Sequence, residues 1–229
     1  LASMGELAAG IAHEINNPLA IIAEEVGVLK DARDPELAEE DDEPLDVSEH
    51  LDAIHEAVFR CRDITRKLLM FVRQTNVNFE PHRLDALMDE VLDIMLGNEL
   101  AVSNVHVVRR YDPSVPEILT DRNQLLQVFV NLVTNAMDAM PSGGVLTVRT
   151  SRSEEKVSLS VEATGVGMTT EQMKRVFMPF FTTKDPGKGT GLGLSVSNSI
   201  IQGFGGSFYV ESAPGQGSTF TIELPLSVG

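Results

Sequence analysis

The sequence has 229 residues, 42% hydrophobic and 23% charged, which is ordinary for a globular protein with a buried core. Its net charge of −16 argues against a broad nucleic-acid-binding surface, which needs lysine and arginine to neutralise phosphates. The single cysteine excludes an intramolecular disulfide and argues against a cysteine-based zinc site. No apolar run reaches the roughly 18 residues of a membrane-spanning helix, so we expect no membrane contact by this chain.

The first third of the chain predicts a helical hairpin. Apolar residues recur at steps of three and four over residues 1–22 and again over residues 51–71. Pro18 is expected to kink the first helix, and Ser48 is expected to cap the second. Because one hairpin cannot cover its own apolar seam, two copies should associate into a dimeric four-helix bundle.

The segment that joins the two predicted helices is strongly acidic. Residues 31–50 hold ten acidic residues and one arginine, together with Pro35 and Pro44. This composition favours a solvated loop, with a single helical turn at residues 35–42. A docking surface for a partner is the alternative.

After Gln74 the pattern changes to alternating strands and helices. Helices are predicted at residues 84–96, 121–140 and 192–202, and strands at residues 105–111, 145–150, 156–162, 207–211 and 219–224. The predicted fold class is therefore α+β, with a helical hairpin domain at residues 1–75, a linker at residues 76–80 and an α/β sandwich at residues 81–229.

A first candidate site lies on the first helix. His13 is two residues beyond Ile11, about 200° round the helix, so its ring should face solvent, where a neutral imidazole nitrogen is a nucleophile. Glu14 could accept a proton from the other ring nitrogen, and Asn17 lies one turn further on the same face. A plain exposed histidine is the alternative, and a metalloprotease helix is excluded because Asn17 stands where that motif needs histidine.

A second candidate site combines amides with glycines. Asn131 and Asn135 share one helix face, and amide oxygens can coordinate Mg²⁺ while phosphate oxygens complete its shell. Glycines at positions 165, 167, 187, 189, 191 and 193 permit close approach of the backbone to phosphate. The spacing fits neither a P-loop nor a dinucleotide motif. The intervening residues 177–184 suit a mobile flap.

In this order, the motifs resemble those of two-component sensor histidine kinases, most closely the nitrogen-regulation type. The resemblance covers essentially the whole chain. It comprises a phosphoacceptor box at residues 4–19, an asparagine box at 127–139, a first glycine box at 161–168, a phenylalanine box at 177–184 and a second glycine box at 189–195.

The resemblance implies a dimerisation and histidine-phosphotransfer hairpin, followed by a catalytic ATP-binding domain with the fold shared by gyrase and Hsp90 chaperones. ATP would bind with Mg²⁺ held by Asn135 and Asn131. The γ-phosphoryl group would pass to His13, with Glu14 as base, and then to an aspartate of a response regulator. A lid over residues 168–190 would supply Lys184 and Lys188. The implied nucleotide-binding residues are Asn131, Asn135, Asp138, Ala163, Gly165, Gly167, Lys184, Lys188, Gly189, Thr190, Gly191, Leu192, Gly193 and Leu194.

One position departs from the resembled pattern. The family has aspartate before the first glycine box, where its carboxylate accepts a hydrogen bond from the adenine amino group, and this chain has Ala163. Loss of that acceptor is expected to cost one to two decades of nucleotide affinity, so the kinase should be weakened. Because the other motifs are intact, a deliberate Asp→Ala replacement explains Ala163 better than drift to a pseudokinase.

Two other functions stay open. The chain could be a nucleotide-deficient scaffold that dephosphorylates a response regulator, with Asn17 orienting water, or an ATPase of the gyrase and chaperone type. The phosphoacceptor hairpin argues against the latter. Because the sequence begins inside the family's first helix, we expect an excised cytoplasmic core whose parent is soluble or membrane-anchored.

Overall fold

The computed structural model describes residues 2–32, 46–72, 78–184 and 189–226. The side chains of residues 2–14, 60 and 62–72 lie outside the described part. The chain divides into two compact units, residues 1–75 and residues 76–229.

The first unit contains two helices that pack along each other, α1 (Ala2–Asp31) and α2 (Val47–Val72). Helix α1 continues through Pro18, which is buried. His50 Nδ1 lies 2.5 Å from Glu25 Oε2 and ties α2 to α1. This contact gives His50 a structural role, and the two predicted helices are confirmed.

The start of α2 corrects two expectations. Helix α2 takes in residues 47–50, which the acidic composition assigned to a loop. The predicted cap at Ser48 is wrong, because Asp46 Oδ1 accepts the Ser48 backbone N–H at 3.0 Å. An aspartate just before the first helical residue is a strong N-cap, since its side chain satisfies a donor that the helix leaves free. The predicted turn at residues 35–42 lies outside the described residues.

The second unit is built on a five-stranded mixed sheet. Its strands are β2 (Val105–Arg110), β4 (Gly144–Arg152), β5 (Lys156–Ala163), β6 (Ser207–Ala213) and β7 (Gly217–Pro225), in the order β2-β4-β5-β7-β6. Strands β2 and β4 are parallel and the other neighbours are antiparallel. A separate antiparallel pair joins β1 (Glu80–His82) to β3 (Ile118–Thr120).

The helices of this unit form the second layer. They are α3 (Leu84–Asp89), α4 (Gly97–Val102), α5 (Arg122–Asp138), α6 (Thr170–Arg175) and α7 (Gly193–Gly203). Helix α5 packs on β5, α7 packs on β6 and β7, and the two helices contact each other. Alternate residues of β5 are buried beneath them, from Val157 to Ala163. The predicted α/β sandwich is confirmed.

Several boundaries differ from those predicted. Residues 84–96 do not form one α-helix, because α3 passes into a π-helical turn, Glu90–Met95, in which the Leu96 N–H donates to the Val91 carbonyl. Helix α4 was not predicted. Glu80 and Pro81 were assigned to the linker and its flank but belong to β1, where pairing with β3 orders them.

Asp121 fixes the start of α5, the helix that carries the asparagine box. Its Oδ1 accepts the Gln124 N–H at 3.0 Å, and its Oδ2 accepts the Asn78 N–H at 2.9 Å. The residue is 7% exposed. Both carboxylate oxygens therefore serve the backbone, one at the helix N-terminus and one in the segment that leads into β1.

We predict that Asp121→Ala destabilises the second unit, because it removes the N-cap and leaves the Asn78 N–H unpaired. The expected loss is about 1–3 kcal/mol of the free energy of unfolding. Urea denaturation followed by circular dichroism measures it. Asp121→Asn keeps a capping oxygen and should lose less. Equal stability of Asp121→Ala and the unchanged chain would contradict the role assigned to this carboxylate.

Candidate functional site

A polar stripe runs along α5 beside its buried face. Asn131, Asn135 and Asp138 are spaced by four and three residues and therefore lie on one side of the helix. The buried face of the same helix holds it against the sheet and comprises Leu125, Leu126, Val128, Phe129, Leu132, Val133 and Ala136. This packing positions the stripe along the edge of α5, next to α7.

Asn131 links α5 to α7. Its Nδ2 donates to Ser197 Oγ at 3.0 Å, and its Oδ1 accepts from Asn135 Nδ2 at 3.3 Å. A Cβ on Gly193, the first residue of α7, would lie 2.1 Å from Asn131 Oδ1. Any side chain at position 193 would therefore have to displace the Asn131 amide, because the start of α7 rests directly on it. The Asn131 bonds orient Asn135.

The first glycine box forms a turn between α5 and the β6–β7 hairpin. The Val166 N–H donates to the Ala139 carbonyl at the end of α5, and the Gly215 N–H donates to the Val166 carbonyl, at 3.0 and 2.8 Å. Gly167 has φ +68°, and its Cβ would lie 2.0 Å from the Ala213 carbonyl oxygen. The turn therefore tolerates no side chain at this position.

The second glycine box lies against the phenylalanine box. Gly191 has φ +63°, and its Cβ would lie 2.3 Å from the Phe180 carbonyl carbon. Leu192 is buried, with its carbonyl accepting from Ser195 Oγ at 2.9 Å. Gly189, Thr190 and Leu194 are partly exposed beside it. The loop that precedes α7 is thus held close to the flap.

The flap brings a cation to the asparagine stripe. Lys184 Nζ contacts the Asp138 carboxylate and lies 3.5 Å from Asn135 Oδ1. Three predicted site residues, Asn135, Asp138 and Lys184, therefore meet at one point.

Helix α6 precedes the flap in the sequence and begins with a capping box between Thr169 and Gln172. This helix was not predicted, although the Thr-x-x-Gln spacing is a helix-start signal.

Ala163 is the last residue of β5 and is 6% exposed. It pairs with Leu146 of β4 and Ser218 of β7, and alternation puts its side chain on the buried face with Val161. A carboxylate at this position would lose its hydration and would need a hydrogen-bonding partner in its place. The alanine presents only a methyl group there.

The phosphoacceptor residues are described in part. The side chains of His13 and Glu14 lie outside the described residues, as does Lys188, so the expected exposure of the His13 ring stays a prediction. Asn17 is described and is exposed on α1.

Sequence reasoning missed Ser197 and Thr164. Ser197 is 1% exposed in α7, and a serine buried in a helix signals a polar partner, which is Asn131 here. Thr164 Oγ1 accepts the Val145 N–H at 2.9 Å and fastens the start of the first glycine turn to β4. Its place within the first glycine box, residues 161–168, was the available signal.

Comparison with known families assigns a different domain family to each of the two compact units. Residues 3–76 match the His Kinase A (phospho-acceptor) domain, and residues 120–228 match the histidine kinase-, DNA gyrase B- and HSP90-like ATPase family.

Curated relatives match along nearly the whole chain. Sporulation kinase C of Bacillus subtilis is 32% identical over 227 residues, covering 99% of this chain and 50% of the relative. The signal transduction histidine-protein kinase AtoS of Escherichia coli is 33% identical over 228 residues, covering 99% of this chain and 36% of the relative. The chain thus spans half or less of these relatives.

Solved structures match as well. Histidine kinase ThkA, in complex with the response regulator protein TrrA, superposes with a TM-score of 0.77 at 27% identity, over 99% of this chain and 63% of that one. The nucleotide-free catalytic domain of ThkA gives a TM-score of 0.59 at 31% identity, over 65% of this chain and 96% of that one.

The architecture is thus a phospho-acceptor hairpin followed by an ATPase domain, the core of a histidine kinase. The chain belongs to the sensor histidine kinases of two-component signal transduction. Membership of the nitrogen-regulation subtype stays a prediction. In the described part of the chain, no helix has the length and apolar character needed to cross a membrane.

We predict that Gly193→Ala destabilises the second unit by about 1–3 kcal/mol, because the new methyl group displaces the Asn131 amide. Gly203→Ala is the matched control at the other end of α7, where an added Cβ meets nothing within 4 Å. The control should be neutral or stabilising, since alanine is the better helix former. Urea unfolding measures both variants, and equal changes would contradict the contact between Gly193 and Asn131.

Proposed function

We propose that this chain transfers the γ-phosphoryl group of Mg-ATP to His13 and then to an aspartate of a response regulator, with catalysis weakened by Ala163. The observation that carries the proposal is the convergence of Asn135, Asp138 and Lys184 beside two glycine turns, in a chain that also has a phospho-acceptor hairpin. In this proposal, the three side chains and the glycine turns form the polyphosphate site, and the hairpin supplies the histidine that accepts the phosphoryl group.

The nucleotide site is supported by three features of the second unit. The glycine turns pack directly on Ala213, Phe180 and Asn131 with little room for a Cβ, which brings their backbone close to the asparagine stripe, where backbone groups can serve a phosphate chain. Lys184 offers a positive charge at the same point. The ATPase-family match covers residues 120–228, which contain all of these groups.

The donor set fits Mg²⁺, with Asn135 as the protein ligand. The observation is that Asn135 Oδ1 already faces a cation, the Lys184 ammonium at 3.5 Å. Amide and phosphate oxygens are the hard ligands that Mg²⁺ prefers. When bound, Mg²⁺ neutralises charge that develops on the phosphate oxygens. Asn131 is the second predicted ligand, and its bonds to Asn135 and Ser197 support an orienting role.

On the hairpin, His13 is the proposed nucleophile. Its free ring nitrogen attacks the γ-phosphorus, the bond to the bridging oxygen breaks, and ADP leaves. Glu14 takes the proton from the other ring nitrogen, which keeps the phosphorylated imidazole neutral. The motif at residues 4–19 and the phospho-acceptor match over residues 3–76 support these roles.

The proposed assembly is a homodimer that docks a response regulator. Exposed apolar side chains on the hairpin support it, because Leu19, Leu51 and Val58 are each about 50% exposed although they lie on the predicted seams. A second hairpin would bury them. The relative ThkA was crystallised with a response regulator, which supports that class of partner.

Ala163 is the proposed cause of weak nucleotide binding. It lies on the buried face of β5 and offers no acceptor to an adenine amino group. We predict that Ala163→Asp raises ATP affinity at least tenfold and restores autophosphorylation, since an unpaired buried polar group costs about 1–3 kcal/mol. Titration with labelled ATP measures the affinity, and acid-labile label on the protein measures the reaction.

Two controls sharpen this test. Ala163→Val adds volume without an acceptor and should gain nothing. His13→Gln in the Ala163→Asp chain should bind ATP normally and take up no label. Equal ATP affinities with alanine and aspartate at position 163 would overturn the account of this position, and label retained by the His13→Gln chain would overturn the role of His13.

A second candidate function is dephosphorylation of the response regulator, with Asn17 orienting the attacking water. The observation that favours it is the exposure of Asn17 on α1, four residues from His13. This activity would need no nucleotide and would tolerate Ala163.

We predict that the chain as it stands accelerates decay of a phosphorylated response regulator, and that Asn17→Ala abolishes the acceleration. Decay of radiolabelled regulator measures it. Asn16→Ala is the matched control, because that amide is also exposed but lies about 100° away round the helix. Decay that the intact chain does not accelerate would count against this function.

A further inference from the structure

The Lys184 ammonium lies where the proposed function requires a different cation. It is paired with the Asp138 carboxylate and lies 3.5 Å from Asn135 Oδ1. Asn135 is the residue with which the proposed site would hold Mg²⁺. The two cations cannot both occupy this point, because like charges in contact repel strongly.

We propose that Lys184 is an exchangeable counterion, held by Asp138 and Asn135 in the nucleotide-free chain and released to the phosphate groups when Mg-ATP binds. The inference rests on the proposed nucleotide site and adds a role for Asp138. In this role Asp138 contacts neither metal nor nucleotide. It stores Lys184 and thereby opposes nucleotide binding.

The exposure of the pair sets the size of the effect. The Lys184 and Asp138 side chains are 34% and 51% exposed, so water screens their attraction. Exposed ion pairs contribute modestly, which corresponds to about a two- to fivefold change in an equilibrium constant. Such a contact can hold the Lys184 side chain beside Asn135 and still yield to a triphosphate, which offers the ammonium several charged oxygens.

The proposal predicts the sign of a double-mutant cycle. Asp138→Asn frees Lys184, so ATP should bind more tightly. The gain in affinity should exceed the gain expected from removing the repulsion between the Asp138 carboxylate and the phosphates alone. In the Lys184→Met chain the same substitution should gain about two- to fivefold less, because no counterion is left to free. Equivalently, Lys184→Met should cost more affinity in the Asp138→Asn chain than in the unchanged chain.

Calorimetric titration with Mg-ATP measures the four dissociation constants. It is run with the chain as it stands and with Ala163→Asp. The control cycle uses Lys156 and Glu223, an ion pair between β5 and β7 with its charged atoms 2.9 Å apart and side chains 49% and 32% exposed. Lys156→Met and Glu223→Gln should leave the affinity unchanged and combine additively.

Each other outcome overturns the proposal in its own way. Additive effects would mean that Lys184 is not released, and coupling of the opposite sign would mean that the pair persists and supports the bound nucleotide. Weaker binding by Asp138→Asn would make Asp138 a ligand of the metal or nucleotide. Absence of nucleotide binding by every variant, Ala163→Asp included, would instead overturn the proposed function itself.

Discussion

The amide of Asn131 is the contact on which the geometry of the candidate site depends. It joins α5 to α7 through Ser197, orients Asn135 through its own oxygen, and lies against Gly193 so closely that no Cβ fits. Two helices that pack on different strands are thereby fixed to each other at the point where the polar stripe begins. A partly buried amide that uses both its donor and its acceptor has little freedom to move, so it can hold Asn135 in place.

Charge distribution bears on how the proposed nucleotide site would work in an acidic protein. The chain has a net charge of −16, yet the proposed ligand is a polyphosphate. Residues 31–50 account for a net −9 of that charge. They belong to the first unit and are far in sequence from the asparagine box. At the proposed site, the local balance is set by Lys184 and Asp138, one charge of each sign. Short-range contacts, and the cation that accompanies ATP, therefore matter more than net charge, because salt screens distant charges.

Much of the fold follows from periodicity. The long helices and the alternating strands of the sheet were predictable because each buries one regular face, as in α5 and β5. Short elements were not: α4, α6, β1 and β3 have three to six residues each, too few for a period to appear. The π-helical turn at Glu90–Met95 has only six residues. Over so short a segment, the spacing of apolar residues in a π-helix cannot be told from that in an α-helix.

In the candidate site too, some residues could be predicted from the sequence and some contacts could not. Asn131, Asn135 and the glycines were found from spacing, since spacing on one helix or loop fixes which residues share a face. The contacts of Lys184 with Asn135 and Asp138 join residues 49 and 46 positions apart, and the Asn131–Ser197 bond spans 66. Pairing over such separations depends on how α5, α7 and the flap pack, which local sequence does not encode.

In the proposed reaction, a phosphoryl group from ATP is transferred to one imidazole of the hairpin, that of His13. The most direct measurement is peptide mapping by mass spectrometry at neutral pH, after the Ala163→Asp chain has been incubated with Mg-ATP. A single acid-labile phosphate is expected on the peptide that contains His13. Phosphate on a hydroxyl side chain, or on any of the other four histidines instead, would contradict it.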